Sequence, residues 1–103
     1  MDFRAIEENG QAILYFAGEL DMAVGERVGN LLREYGERNG AVTVDFQDVT
    51  FVDSSGIGHL FFTTKDLLTL GKKIDIINVR EEILDILHVL GFAEALGISL
   101  KQA

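Results

Sequence analysis

Phe51-Val52-Asp53-Ser54-Ser55-Gly56-Ile57-Gly58 is the stretch from which the rest of the chain can be read. Asp53 has the side chain of a helix N-cap, and Ser54 and Ser55 then fall in the first turn. Val52 and Ile57 stand where a hydrophobic staple puts its two residues if Asp53 is that cap. Glycine in a helix interior costs about 1 kcal/mol relative to alanine, yet Gly56 and Gly58 both follow within the opening turns. Two explanations are open. Either the surface must stay low for the close approach of another molecule, or Gly56 packs tightly under a strand and Asp-Ser-Ser is simply a good cap. The unpaired N–H groups and the macrodipole at a helix start favour negative charge. A phosphate on Ser54 would thus be tolerated by its own domain.

Downstream, Ile57, Leu60, Phe61, Leu67 and Leu68 recur on one face and Gly71 stops the run, which predicts a helix near 54–70. Ile74–Ile77 reads as a strand. Asn78 and Glu81 are spaced as a capping pair for a helix near 80–90, with Ile83, Ile86, Leu87 and Leu90 inward and Gly91 as the stop. Ile98–Leu100 is read as a last edge strand. Upstream, Phe3–Glu7 is a short strand followed by Asn9-Gly10, a hairpin turn signal. Gln11–Glu19 is an apolar strand with large residues on both faces, expected in the interior of a sheet. Asp21 looks like a second N-cap, and Val24, Val28, Leu31, Leu32 and Tyr35 follow at helical spacing and end near Gly36, which predicts a helix near 22–36. Ala41–Phe46 alternates as a strand does, and Gln47–Val52 is read as a connection. The order is β-β-α-β-α-β-α with a possible final strand: an α/β fold with a mixed sheet of four to five strands and three to four helices. Gly18–Asp21 and Asp53–Gly58 both follow strand ends, so they are expected side by side on one exposed rim.

At 103 residues the chain has room for one domain, spanning 1–103. It contains no cysteine, so neither a disulfide framework nor a thiolate metal site can form. Nine basic against seventeen acidic residues give a net charge of −8, which disfavours nucleic acid as a direct partner. The imbalance lies in the first half: residues 1–53 hold four basic and eleven acidic side chains, residues 54–103 five and six. The start MDFRAIEENG lacks the features of a signal peptide. No apolar run approaches the roughly 20 residues of a membrane span. The expected location is the cytoplasm, and the expected state a monomer.

The string DFQDVTFVDSSGIGHLF resembles the signature of STAS domains of the anti-sigma factor antagonist type. Gly18-Glu19-Leu20-Asp21 is similar to the family's Gly-Glu-Leu-Asp at the end of the second strand, and the likeness extends to Gly71-Lys72-Lys73 and Val89-Leu90-Gly91-Phe92. The resemblance implies a STAS fold and a partner switch. The unphosphorylated antagonist binds an anti-sigma factor that is also a serine kinase with a histidine-kinase-like ATPase fold. Phosphorylation of the first Ser after the Asp, here Ser54, releases it, and a serine phosphatase resets it. Ser55 is the second candidate. Asp21, Asp53, Ser54, Ser55, Gly56, Ile57, Gly58 and His59 form the expected partner surface. Asp21 and Asp53 are equally explained as helix caps.

Catalysis finds little support, and no cofactor is expected. Gly56-Ile57-Gly58 begins like a dinucleotide loop, but Phe61 stands at its third glycine position. Ser54 and Ser55 lie outside any Gly-x-Ser-x-Gly elbow. His59, expected on a helix surface, and His88, expected to be partly buried, fall in separate helices and make a poor metal site. A phosphoaspartate receiver would need an acidic pair after its first strand and a late Lys after a strand, and neither is present. The remaining alternative is a STAS subunit bound constitutively, such as an accessory protein of a lipid-transport ATPase.

Overall fold

The Asn9-Gly10 dipeptide sets the first element pair. Both residues have positive φ, 53° and 76°, the geometry of a type I′ turn, whose twist suits the flanking strands. It joins β1 (Asp2–Glu8) to β2 (Gln11–Leu20) as an antiparallel hairpin in which Glu8 faces Gln11. The chain continues through α1 (Met22–Arg38), β3 (Ala41–Val52), α2 (Ser54–Thr69), β4 (Lys73–Val79), α3 (Glu81–Val89), α4 (Phe92–Leu96) and β5 (Leu100–Gln102). These elements come from a computed structural model that describes residues 1–103.

The five strands lie in sequence order, β1-β2-β3-β4-β5, and all pairs after the hairpin are parallel. Each crossover therefore steps one strand in the same direction. A common right hand then puts the helices on one side of the sheet. Burial agrees: Leu14, Phe16, Val42, Val44, Ile74 and Ile76 form the covered face, whereas Ile13, Tyr15, Thr43, Asp75 and Ile77 on the opposite face are only partly buried. β2 is flanked on both sides as expected, but its second apolar face is left half open. Val28 and Leu32 of α1, Leu60 and Leu67 of α2, Ile83 and Leu87 of α3 and Phe92 of α4 complete one core with the covered face.

Gln47–Val52 is not a connection: it continues β3 to the level of Asp53. An irregularity between Tyr15 and Ala17 of β2 explains why alternation fails there, since Tyr15 pairs with Asp45 but Ala17 with Asp48. The extra residue on β3 makes a bulge, and Asp45 and Phe46 are both buried in succession. Asp45 pins this bulge. Its Oδ1 accepts the Gln47 N–H at 2.8 Å and its Oδ2 accepts Asn78 Nδ2 at 2.9 Å. Asn78 is therefore no capping residue. It sits within β4 at φ 57°, and α3 starts from Arg80 with no side-chain cap bond.

Other boundaries shift for physical reasons. Gly36 does not stop α1; the helix runs on to Arg38, and Asn39 caps it with its N–H on the Tyr35 carbonyl. Arg38 and Asn39 both grip Glu7: Arg38 donates at 2.9 and 3.2 Å and Asn39 at 2.8 Å. This ties β1 to the end of α1, and the bonds from Arg38 and then Asn39 hold the Glu7 carboxyl below the ordinary range. In α3 Ile83 and Leu87 are buried and Leu84 packs partly against the core, whereas Ile86 and Leu90, expected inside, are exposed, and His88 is exposed as well. Gly91 ends that helix at φ 69° as read from the sequence. The short α4 follows it, and the last strand lies at 100–102 rather than 98–100.

Candidate functional site

β2 and β3 end together. Glu19 pairs with Phe51 and Leu20 with Val52, so the next residues, Asp21 and Asp53, start two helices at neighbouring points of one rim. The Asp53 N–H donates to the Leu20 carbonyl at 3.1 Å, tying the two segments together. Gly18–Asp21 and Asp53–Gly58 therefore form one surface, as the topology predicts. Each acid caps its helix: Asp21 Oδ1 accepts the Val24 N–H at 3.1 Å and Asp53 Oδ1 accepts the Gly56 N–H at 2.7 Å. Both caps are of the kind worth about 1 kcal/mol.

The two glycines separate into different roles. Gly56 is buried, and a Cβ there would meet the Leu20 carbonyl oxygen at 2.4 Å and that of Asp21 at 2.9 Å. Tight packing under the β2–α1 turn explains it fully. Gly58 is the opposite case, for beyond its own turn of helix no atom lies within 4 Å of where its Cβ would be. Its missing side chain leaves the floor of a shallow depression lined by Ser54, Ile57, Gly58, Phe61, Leu90 and Phe92. Ser54 and Ser55 are exposed on the first turn of α2.

The remaining expected residues divide the same way. Ile57 is buried at 3%, so its side chain serves the core, as its place in the staple requires. His59 is exposed on α2 and lies over Gly25 of α1, where a Cβ would come within 2.8 Å of its ring. That contact belongs to a seam not anticipated from the sequence. Gly25, Gly29 and Gly36 of α1 face Gly56 and His59, Thr63 and Leu67 of α2 respectively. Their spacing of four and seven residues along one helix face was the available signal. Also missed were Phe62, Val89 and Leu90, which are 64%, 87% and 48% exposed, Leu90 lining the same depression as Ser54. An apolar residue outside the periodic stripe was the clue at Phe62. Phe61 joins these parts, with ring centroids 5.4 Å from Phe62 and 5.7 Å from Phe92, both edge-on.

A family model of the STAS domain matches residues 3–102. The chain belongs to the STAS domain family. Solved structures with this fold include an anti-sigma factor antagonist from Mycobacterium paratuberculosis, at a TM-score of 0.80 and 17% identity over 94% of this chain and 83% of that one. The Bacillus cell fate determinant SpoIIAA in its phosphorylated form gives a TM-score of 0.71 at 17% identity, covering 99% of this chain and 92% of that one. A sulfate transporter family protein from Wolinella succinogenes gives 0.76 at 22% identity, covering 89% and 75%. At these identities the likeness is one of fold. No curated protein sequence gives a significant match. Within this STAS domain, no helix is long and apolar enough to cross a membrane.

Proposed function

We propose that this STAS domain is an anti-sigma factor antagonist that works by partner switching, with Ser54 as its phosphorylated residue and Ser55 as the second candidate. The supporting observation is the position of Ser54: an exposed hydroxyl on the first turn of α2, next to the uncovered Gly58, on the rim it shares with Asp21. The partner in this reading is an anti-sigma factor with serine kinase activity and a histidine-kinase-like ATPase fold. A serine phosphatase reverses the modification, and the chain itself catalyses nothing. The site of action is the cytoplasm.

The physical basis is electrostatic. A phosphoserine adds about −1.5 to −2 charges and three strong acceptor oxygens. At Ser54 it would enter a close interface beside two carboxylates, Asp21 and Asp53. Its own helix tolerates it, because the dipole at the N-terminus favours an anion, so the domain stays folded while the complex is lost. Ser54→Asp should thus weaken binding to the host kinase by more than a hundredfold, since an unpaired desolvated charge costs on the order of several kcal/mol. Ser54→Ala should bind and fail to release. The test is a pull-down from host lysate with wild type and both variants, mass spectrometry of Ser54, and calorimetric titration with the recovered kinase. Equal affinity of Ser54→Asp and wild type, with unchanged melting, would falsify the switch. It would favour the constitutive subunit.

A further inference from the structure

We propose that the apolar shelf running from Gly58 and Phe62 of α2 to Ile86 and Val89 of α3 and Leu90 at its end docks a basic amphipathic helix of the partner protein. The inference rests on the partner-binding reading above and adds the chemistry of the bound segment.

The shelf is one surface. Leu90 lines the same depression as Ser54 and Gly58, and Phe61 bridges from Phe62 to the wall formed by Phe92. Ile86, Val89 and Leu90 fall at i, i+3 and i+4 and so share a face of α3. That face lies outside the core, whose contacts with α3 come from Ile83, Leu84 and Leu87. Val89 at 87% and Phe62 at 64% exposure are far from any buried role. Grouped exposed apolar residues with polar surroundings mark binding surfaces.

Charge selects the occupant. Residues 81–96, the segment that contributes Leu90 and Phe92 to the depression, contain Glu81, Glu82, Asp85 and Glu94 and not one Lys or Arg. A second copy of the chain would bring the same acids to the contact, and its net charge of −8 opposes such pairing. The depression has two helical walls, α2 on one side and α3 with α4 on the other. An amphipathic helix laid in a groove meets this geometry, with aliphatic anchors on one face and Lys or Arg at its margins for the acids.

The probe is a synthetic amphipathic helix of Leu and Lys, titrated into isotope-labelled full-length protein and followed by amide chemical shifts. A helix with Glu in place of Lys and a scrambled Leu/Lys peptide serve as controls. The expected shifts centre on Gly58, Phe62, Val89 and Leu90, with the acidic helix at least tenfold weaker. The double variant Val89→Ser, Leu90→Ser should bind at least tenfold more weakly while melting as wild type does, because both side chains are exposed. Ile13→Ser on the open sheet face should leave binding unchanged. The proposal fails if the double variant binds normally, if the scrambled peptide binds as well, or if the shifts map to the open sheet face. It also fails if sedimentation shows a dimer that the double variant abolishes, which would assign the shelf to a second copy. Phosphate on Ser54 is scored separately by mass spectrometry of protein from the host. Its absence would sink the switch and leave the peptide map untouched.

Discussion

Alanine at position 56 and alanine at position 58 should change stability in opposite directions, although the two sites are one residue apart in the same helix. At Gly56 the added methyl would meet Leu20 O at 2.4 Å, Leu20 C at 2.8 Å and Asp21 O at 2.9 Å, all of them backbone atoms. Optimal separation for such heavy atoms is about 3.5 Å or more, so relief requires roughly an ångström of movement between α2 and the β2–α1 turn. That turn is held by the Asp53–Leu20 hydrogen bond and by the Asp21 cap. Overpacking costs about 1–3 kcal/mol and sometimes more, and contact with backbone puts this case at the upper end. The gain in helix propensity, about 1 kcal/mol, offsets part of it, leaving a net loss of about 2 kcal/mol. At Gly58 nothing beyond its own turn of helix lies within 4 Å, so the same propensity gain stands alone. For a domain of this size 1 kcal/mol moves Tm by about 4–8 °C. Gly58→Ala should then raise Tm by about that much and Gly56→Ala should lower it by about twice as much. Urea unfolding of both variants beside wild type provides the free energies. A Gly56→Ala protein as stable as wild type would refute the account of Gly56 as a packing residue. On the proposed partner-switch reading, Gly58→Ala should also weaken binding to the partner while stabilising the fold, because its methyl fills the floor of the depression beside Ser54.

Three further outcomes follow from other contacts. Thr64 is fully buried in α2 and its hydroxyl has no hydrogen-bond partner, so Thr64→Val should stabilise by about 1 kcal/mol or more in urea titration. A Cβ on Gly36 would lie 2.6 Å from the end of the fully buried Leu67 side chain; Gly36→Ala should destabilise wild type but stabilise a Leu67→Ala background, which a double-mutant cycle detects. Glu7, held low by Arg38 and Asn39, stabilises the fold above its unfolded pKa of about 4.3. That contribution disappears as pH falls through the lower folded value, so Glu7→Gln should flatten the acid side of a stability–pH curve.

Much of this arrangement was legible because local and tertiary signals agreed. Asn9-Gly10 specified the hairpin, and the two aspartates marked helix starts that proved to be N-caps bonded to Val24 and Gly56. Parallel pairing of β2 and β3 then brought Asp21 beside Asp53 without further information. The errors arose where tertiary contacts displaced local patterns. The bulge at Asp45 broke the alternation of β3, so its second half looked like a loop. Gly36 resembled a helix stop, but it is a packing position whose partner, Leu67, lies 31 residues on and is invisible to local reading. Asn78 resembled a cap because no local rule foretells its bond to Asp45, 33 residues away. The apolar face of α3 looked like core because periodicity reports amphipathicity and not which apolar residues find cover.

The glycine seam between α1 and α2 has a mechanical consequence. With Gly25 set against Gly56 and His59, and Gly36 against Leu67, the two helices meet with almost nothing compressible between them. The missing side chains let the two helices approach closely, and Gly56 lies close under the Leu20 and Asp21 carbonyls as well. Close packing at these points leaves little room for a chemical change at the rim to become a movement of α1 against α2. A group attached to Ser54 is thus displayed like a mark on a rigid plate, and only a protein that touches the plate can read it.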